Sequence, residues 1–214
     1  MTLSDDLIFV VEDDAAMRRS IVFLAESVGW SVLAYPSAES FLEQAAMERG
    51  SCLILDIRMP TMSGLELQQI LKGRGVELPI VFITGHGDVA MAVQAMKDGA
   101  QDFIEKPFKD QQLLDAIAQA VRTTSRRREQ DRHQAEAREL IERLTQRERE
   151  VATLVGRGLS NKLIARELDI SDKTVQVHRA HVLEKLGVHS AAQLAQLLMR
   201  VEQRGAGEEP PAHS

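Results

Sequence analysis

Four short apolar runs, each leading to a polar residue, constrain this chain more than any other feature. Leu7-Ile8-Phe9-Val10-Val11 ends on Glu12-Asp13-Asp14, and Ser51-Cys52-Leu53-Ile54-Leu55 ends on Asp56. Ile80-Val81-Phe82-Ile83 ends on Thr84, and Phe103-Ile104 leads through Glu105 to Lys106. Continuous apolar runs this short read as strands covered on both faces, the habit of a parallel sheet. Strands are therefore predicted at 7–11, 51–55, 80–84 and 102–104, with a fifth at 31–35. Helical periods lie between them. Met17, Ile21, Leu24 and Val28 form one expected buried stripe. Ser63-Gly64-Leu65-Glu66 is a capping box opening a helix through Leu71, and Val89 to Lys97 is a helix stopped by Gly99. Alternating strands and helices imply right-handed βαβ units and an α/β, doubly wound sheet.

The rear of the chain follows another rule. No Gly or Pro occurs between Gln111 and Val155. Leu113, Leu114, Ile117, Ala120 and Val121 give the start of that stretch an apolar face, and Arg126-Arg127-Arg128 opens a polar continuation. This reads as a solvated helical linker over 123–143; apolar heptad positions lapse until Leu140, Ile141 and Leu144, which weakens a coiled-coil seam. Thr145-Gln146-Arg147-Glu148 is a second capping box, after which only helices are expected. Ser160 is expected to cap a short helix over 161–168, Asp169-Ile170-Ser171 to turn the chain, and Ser171 to cap a helix from Asp172 to about Leu186, ended by Gly187. A final helix carries Leu194, Leu197, Leu198 and Val201 on one face. The tail from Gly205 has a disordered composition. The expected domains are 5–122, 144–203 and a tail at 204–214, joined by the linker.

Composition narrows the classes. The chain is 44% hydrophobic and 27% charged, hence globular. Residues 1–121 carry 9 Lys/Arg against 18 Asp/Glu, residues 122–143 carry 7 against 5, and residues 144–214 carry 10 against 9. An acidic front and a slightly basic rear suggest different partners. The single cysteine, Cys52, excludes a disulfide framework and suits a reducing cytoplasm; inside an apolar run it is a core thiol rather than a nucleophile. No apolar run reaches membrane-span length, so no membrane partner is expected.

In a flavodoxin-like sheet of order 2-1-3-4-5, the carboxyl ends of strands one and three are neighbours at the switch point. Glu12 and Asp13 would then face Asp56. Crowded carboxylates repel unless a cation sits among them, and oxygen ligands favour a hard ion such as Mg²⁺. Lys106 supplies a compact positive charge and Thr84 a small hydroxyl for the same phosphoryl oxygen. An Asp beside a metal and a Lys is a candidate phosphoryl acceptor. Each residue alone has an ordinary explanation as a cap, a turn or a solvated charge. The four strand ends together favour a site. His86, in a Gly-flanked loop, reads as an exposed loop residue.

These residues carry a resemblance. Glu12-Asp13, Asp56 within Leu55-Asp56-Ile57-Arg58-Met59-Pro60, Thr84-Gly85-His86-Gly87 and Phe103-Ile104-Glu105-Lys106-Pro107-Phe108 resemble a response-regulator receiver domain over about residues 5–122. The resemblance implies phosphorylation of Asp56 by a sensor histidine kinase. It implies Mg²⁺ (or Mn²⁺) held by Glu12, Asp13, Asp56 and the Arg58 backbone carbonyl, and phosphoryl contacts from Thr84 and Lys106. Phe103 matches an aromatic switch, with a plain core aromatic as the alternative. Lys106-Pro107 matches a pair whose peptide bond is often cis. Glu12 departs from the Asp common at that place, which opens the ligand assignment between positions 12 and 13.

The rear resembles the LuxR/NarL/FixJ output domain over about 140–202, through Leu144-Thr145-Gln146-Arg147-Glu148, Gly158-Leu159-Ser160-Asn161-Lys162 and Thr174-Val175-Gln176-Val177-His178. That implies a recognition helix at 172–186 in the major groove of DNA. Gln176, Val177 and Ala180 would face bases, and Lys162, Lys173, Thr174 and Arg179 are candidates for phosphates. Leu194, Leu197, Leu198 and Val201 match a dimerisation face, or else close the small core. Together the halves resemble a FixJ-type transcriptional regulator. Its expected partners are a sensor histidine kinase, double-stranded DNA at a roughly palindromic site and a second, phosphorylation-dependent copy; RNA polymerase is a further partner open to it. It is expected not to be an enzyme. An aspartate-nucleophile phosphatase, the rival class, would carry a second Asp two residues after the acceptor, where Arg58 stands. A constitutive DNA-binding protein with a degenerate receiver is opposed by the intact site set.

Overall fold

The computed structural model describes residues 6–85 and 89–202. The chain divides into two compact units, the first ending at Arg127 and the second beginning at Arg128. His86, the N-terminal limit at residue 5 and the tail from 204 lie outside the described residues.

The first unit is a five-stranded parallel sheet in the order β2-β1-β3-β4-β5. Its strands are β1 (Leu7–Val11), β2 (Ser31–Tyr35), β3 (Gly50–Asp56), β4 (Ile80–Thr84) and β5 (Asp102–Glu105). Helices α1 (Ala15–Ser27), α2 (Ala38–Gln44), α3 (Gly64–Gly73), α4 (Val89–Lys97) and α5 (Asp110–Glu142) join or follow them. Alternate side chains of β1, β3 and β4 feed two separate cores. One gathers Phe9, Leu53, Leu55 and Phe82 with Leu67 and Leu71 of α3. The other gathers Ile8, Val10, Ile54 and Val81 with Ile21 of α1 and Leu113, Ile117 and Ala120 of α5. Burial on both faces is what the unbroken apolar runs demanded. The exception on α1 is Val28, expected in the buried stripe: the helix ends at Ser27, and Val28 caps it and is exposed.

Two details set the strand ends. Asp14 caps α1 by accepting from Ala16 N and Met17 N, both at 2.8 Å. Ser63 and Glu66 form the expected box at the start of α3. Gly64 is required beside it, because a Cβ there would collide with the backbone carbonyl of Asp56.

The second unit contains the later part of α5 and helices α6 (Gln146–Gly156), α7 (Asn161–Glu167), α8 (Asp172–Leu186) and α9 (Ala191–Glu202). Its core is Leu144, Val151, Val155, Ile164, Val175, Val182, Leu186 and Leu194. Gly187, at φ 63°, ends α8 in the left-handed conformation. Ser171 caps α8 through Thr174 N at 3.0 Å. Ser160 stands at the start of α7, but its side chain makes no cap hydrogen bond.

The expected solvated linker over 123–143 is corrected by packing. Thr124 is fully buried and donates to the Ser51 carbonyl at 2.7 Å, so the first unit continues past 122. Ala137 is buried and Leu140 packs against the core of the second unit. Leu194 is corrected as well: a side chain with 0% exposure closes its own core and presents nothing to a partner. Leu197 and Leu198 pack against that same core, and Val201 is half-buried.

Candidate functional site

The carboxyl ends of β1 and β3 stand side by side because the two strands pair in register, Val11 opposite Leu55. Glu12, Asp13 and Asp56 follow, each with a carboxylate oxygen within 4.8 Å of the others. Lys106 arrives from the end of β5, after which the Lys106–Pro107 bond is cis. Its Nζ donates to Glu12 Oε2 at 2.8 Å and to Asp56 Oδ2 at 2.9 Å. Arg58 N donates to the other Asp56 oxygen at 3.2 Å. Arg18 Nη1 donates to the Glu12 and Asp13 carbonyls at 2.6 and 3.2 Å, fixing the loop that carries the acids. Thr84, at the end of β4, is buried, with its hydroxyl donating to the Gly85 carbonyl at 3.3 Å.

One cation therefore serves two buried carboxylates. Burial pushes Glu12 up to about 7, and Asp56 adds to the rise against the opposing pull of Lys106. Burial by itself would lower Lys106, but its two carboxylate partners outweigh that and hold it above its ordinary value. A surplus of negative charge in an all-oxygen donor set suits a hard divalent ion. Asp13 is exposed and completes the set from the solvent side. Phe103 is 41% exposed on β5, so it is not a core aromatic in this conformation. Cys52 is fully buried, and burial pushes its thiol well above the usual range, as fits a core residue.

In the second unit, Gln176, Val177 and Ala180 lie on the exposed side of α8, opposite the buried Val175, Val182 and Leu186. Val177 is 47% exposed. Gln176 Nε2 donates to Asp172 Oδ2 at 3.3 Å. Lys162 and Lys173 are exposed. Thr174 shares a 2.7 Å hydrogen bond with the Ser171 hydroxyl. Arg179 turns toward its own domain, donating to Asn161 Oδ1 at 3.0 Å. Two polar residues of this unit were missed as tertiary ties. Arg147 Nη2 donates to the Leu168 carbonyl at 2.5 Å, and Lys185 Nζ to the buried Glu148 at 2.7 Å. Glu148 was legible only as a cap, because its partner lies 37 residues away.

The carboxylate cluster lies at the switch point of a 2-1-3-4-5 sheet, and in the second unit α7 and α8 flank a short turn, a helix-turn-helix. Residues 8–118 match the family model of the response regulator receiver domain, and residues 142–198 that of the bacterial regulatory proteins of the luxR family. The chain belongs to the two-component response regulators that join a receiver to a LuxR-type DNA-binding domain and act in transcription. It is 46% identical over 191 residues to nodulation protein W of Bradyrhizobium diazoefficiens, spanning 89% of this chain and 84% of that one. It is 42% identical over 193 residues to the transcriptional regulatory protein FixJ of the same organism, spanning 90% and 94%. The solved structure of the response regulator StyR matches at a TM-score of 0.81 and 45% identity, over 92% of this chain and all of that one. Among the described residues no helix is long and apolar enough to cross a membrane.

Proposed function

We propose that Asp56 is the phosphoryl acceptor and that its esterification drives two copies together on DNA. The carrying observation is the buried pair Glu12 and Asp56 sharing the cation Lys106, with Asp13 alongside. An Asp56 oxygen attacks the phosphorus of a kinase phosphohistidine; the N–P bond breaks as the O–P bond forms, and the imidazole leaves. Glu12, Asp13, Asp56 and the Arg58 backbone carbonyl would hold Mg²⁺ or Mn²⁺, which neutralises charge on the transferring group when bound. Lys106 moves from its carboxylate partners to a phosphoryl oxygen, and the Thr84 hydroxyl turns toward another. Phe103 follows inward, biasing a two-state receiver. Val93 and Met96 of α4 are 48% and 40% exposed and, with Phe103, give α4 and β5 apolar surface suited to a second receiver.

The paired output domains then present two α8 helices to a roughly palindromic site. Gln176 reads adenine, Val177 and Ala180 contact thymine methyl groups, and Lys162, Lys173 and Thr174 meet phosphates. The second unit offers Leu197, Leu198 and Val201 as the edge of any output-domain contact. The protein acts by binding rather than turnover, in the cytoplasm with its DNA, where RNA polymerase is a further partner. The receiver is proposed to run to about Arg127 and the output domain from about Arg128 to 203, with 204–214 outside both. The test is incubation with acetyl phosphate and Mg²⁺, read by intact mass and sedimentation. Wild type is expected to gain one base-labile phosphoryl group and to dimerise. An Asp56→Ala variant that gains the same group refutes the assignment.

A further inference from the structure

Lys185 is a basic residue of the helix proposed to read DNA, and its surroundings give it a partner within the protein. It sits in the last turn of α8, and its Nζ donates to Glu148 Oε2 at 2.7 Å. The same Glu148 oxygen accepts from Thr145 N at 2.8 Å and from the Thr145 hydroxyl at 3.0 Å. Glu148 is 3% exposed. Turning Lys185 out to a phosphate would leave a buried carboxylate without its cation, a costly state.

Position on the helix agrees. Lys185 is nine residues beyond Gln176, two and a half turns at about 3.6 residues per turn, and so lies on the opposite side, about 13 Å further along the axis. Arg179 ties the middle of α8 to Asn161 at the start of α7, and Lys185 ties its far end to the first turn of α6. Apart from these ties, α8 is anchored by its buried residues Val175, Val182 and Leu186. A tilt of about 5° at the far end moves Gln176 by about 1 Å over that lever, enough to spoil a bidentate hydrogen bond to a base. Charge contacts to phosphate tolerate such a shift, because Lys side chains are long and flexible.

We propose that Lys185, held by Glu148, is a positioning residue for base readout: it fixes the tilt of α8 and does not touch DNA. The inference rests on α8 being the base-reading helix. The experiment uses full-length phosphorylated protein and a DNA site selected by wild type from a random pool. Affinity for that site and for a scrambled duplex of equal length is measured against salt, well below the melting temperature. Lys185→Met is expected to lose roughly tenfold on the selected site, to stay within about twofold on the scrambled duplex, and to keep the wild-type salt slope. Glu148→Gln, which keeps an oxygen for Thr145 but no charge for Lys185, is expected to lose affinity in the same pattern, and Lys185→Arg to recover most of it. Lys173→Met serves as the phosphate control, weakening both duplexes alike and flattening the salt slope. Equal losses with a flatter slope in Lys185→Met make it a phosphate contact and overturn the proposal. Unchanged affinities with a lowered melting temperature make the tie merely structural and also overturn it. Gln176→Ala separates the two layers. If it alone loses specificity, the proposal fails and α8 remains the reader; if neither variant does, the reading of α8 fails too.

Discussion

Glu12 and Glu148 are both nearly inaccessible, at 1% and 3% exposure, and both are bonded to a lysine. Their chemistry is opposite. Glu148 has Lys185 first and Thr145 second, and these hold its carboxyl down to about 2. Glu12 is pushed up to about 7, first by burial and then by Asp56, which competes for the same Lys106. One carboxylate per cation makes a structural tie. Two or three per cation leave charge uncompensated and ask for a further positive group. The ratio of acids to bases in a buried cluster, rather than burial itself, separates the site that must bind something from the joint that is already complete.

The sharpest way to break this comparison is to remove each glutamate. Glu148→Ala should destabilise the second unit by about 3 kcal/mol, since it deletes a buried charged hydrogen bond and a cap together. Glu12→Gln should instead leave the metal-free first unit at pH 7 as stable as before, or more so by about 1 kcal/mol, because it removes the surplus charge. Urea unfolding checks both. Trp30, the only tryptophan, packs against the first unit's core and reports it by fluorescence, while circular dichroism follows the helices. A large loss in Glu12→Gln would end the distinction.

Metal and pH should then sharpen it. At ten times its Kd, Mg²⁺ should raise the first unit's stability by about 1.4 kcal/mol through binding the folded state alone. Glu12→Gln should weaken that gain, and the second unit should ignore the ion. Without metal, Glu12 in the folded state holds a proton between the ordinary 4.5 and about 7 that the unfolded chain has released. The first unit should therefore lose stability as pH rises through that window, by at most about 1.4 kcal/mol per pH unit. Glu148 titrates the other way: its contribution is complete above 4.5 and is lost as pH falls toward about 2. Acid should thus weaken the second unit below the window in which it strengthens the first. Parallel pH profiles for Trp30 fluorescence and circular dichroism would contradict the assignment.

What the sequence disclosed follows the same division. Strand ends were readable because a buried apolar run must terminate, and several runs ending on polar groups point to one edge of the sheet: Asp56 and Glu12 stood out together on this ground. Local hydrogen bonds were readable too, as at Ser63–Glu66 and Thr145–Glu148, since their partners are three residues apart. Whatever depended on distant neighbours was not. Val28 fits a helical stripe but lies past the helix end, and Leu194 fits a dimer face but fills its own core. Glu148 reads only as a cap until Lys185 is placed beside it. Periodicity states which residues share a face and is silent on what that face meets.

The smallest effect expected tests where the second unit begins. Polar composition makes residues 128–143 look like a solvated extension, yet Leu140 packs against the core built on Val151, Val155 and Leu194. Leu140 is only half-buried, so truncation to Ala forfeits part of a methylene-rich contact and leaves no sealed cavity. Leu140→Ala should lower the second unit's stability by about 1 kcal/mol, with no change in the Trp30 transition. The substitution keeps, and if anything improves, intrinsic helix propensity, so a loss cannot come from the helix itself. If the second unit's midpoint does not move, the later part of α5 is a linker after all, and the output domain starts near Leu144.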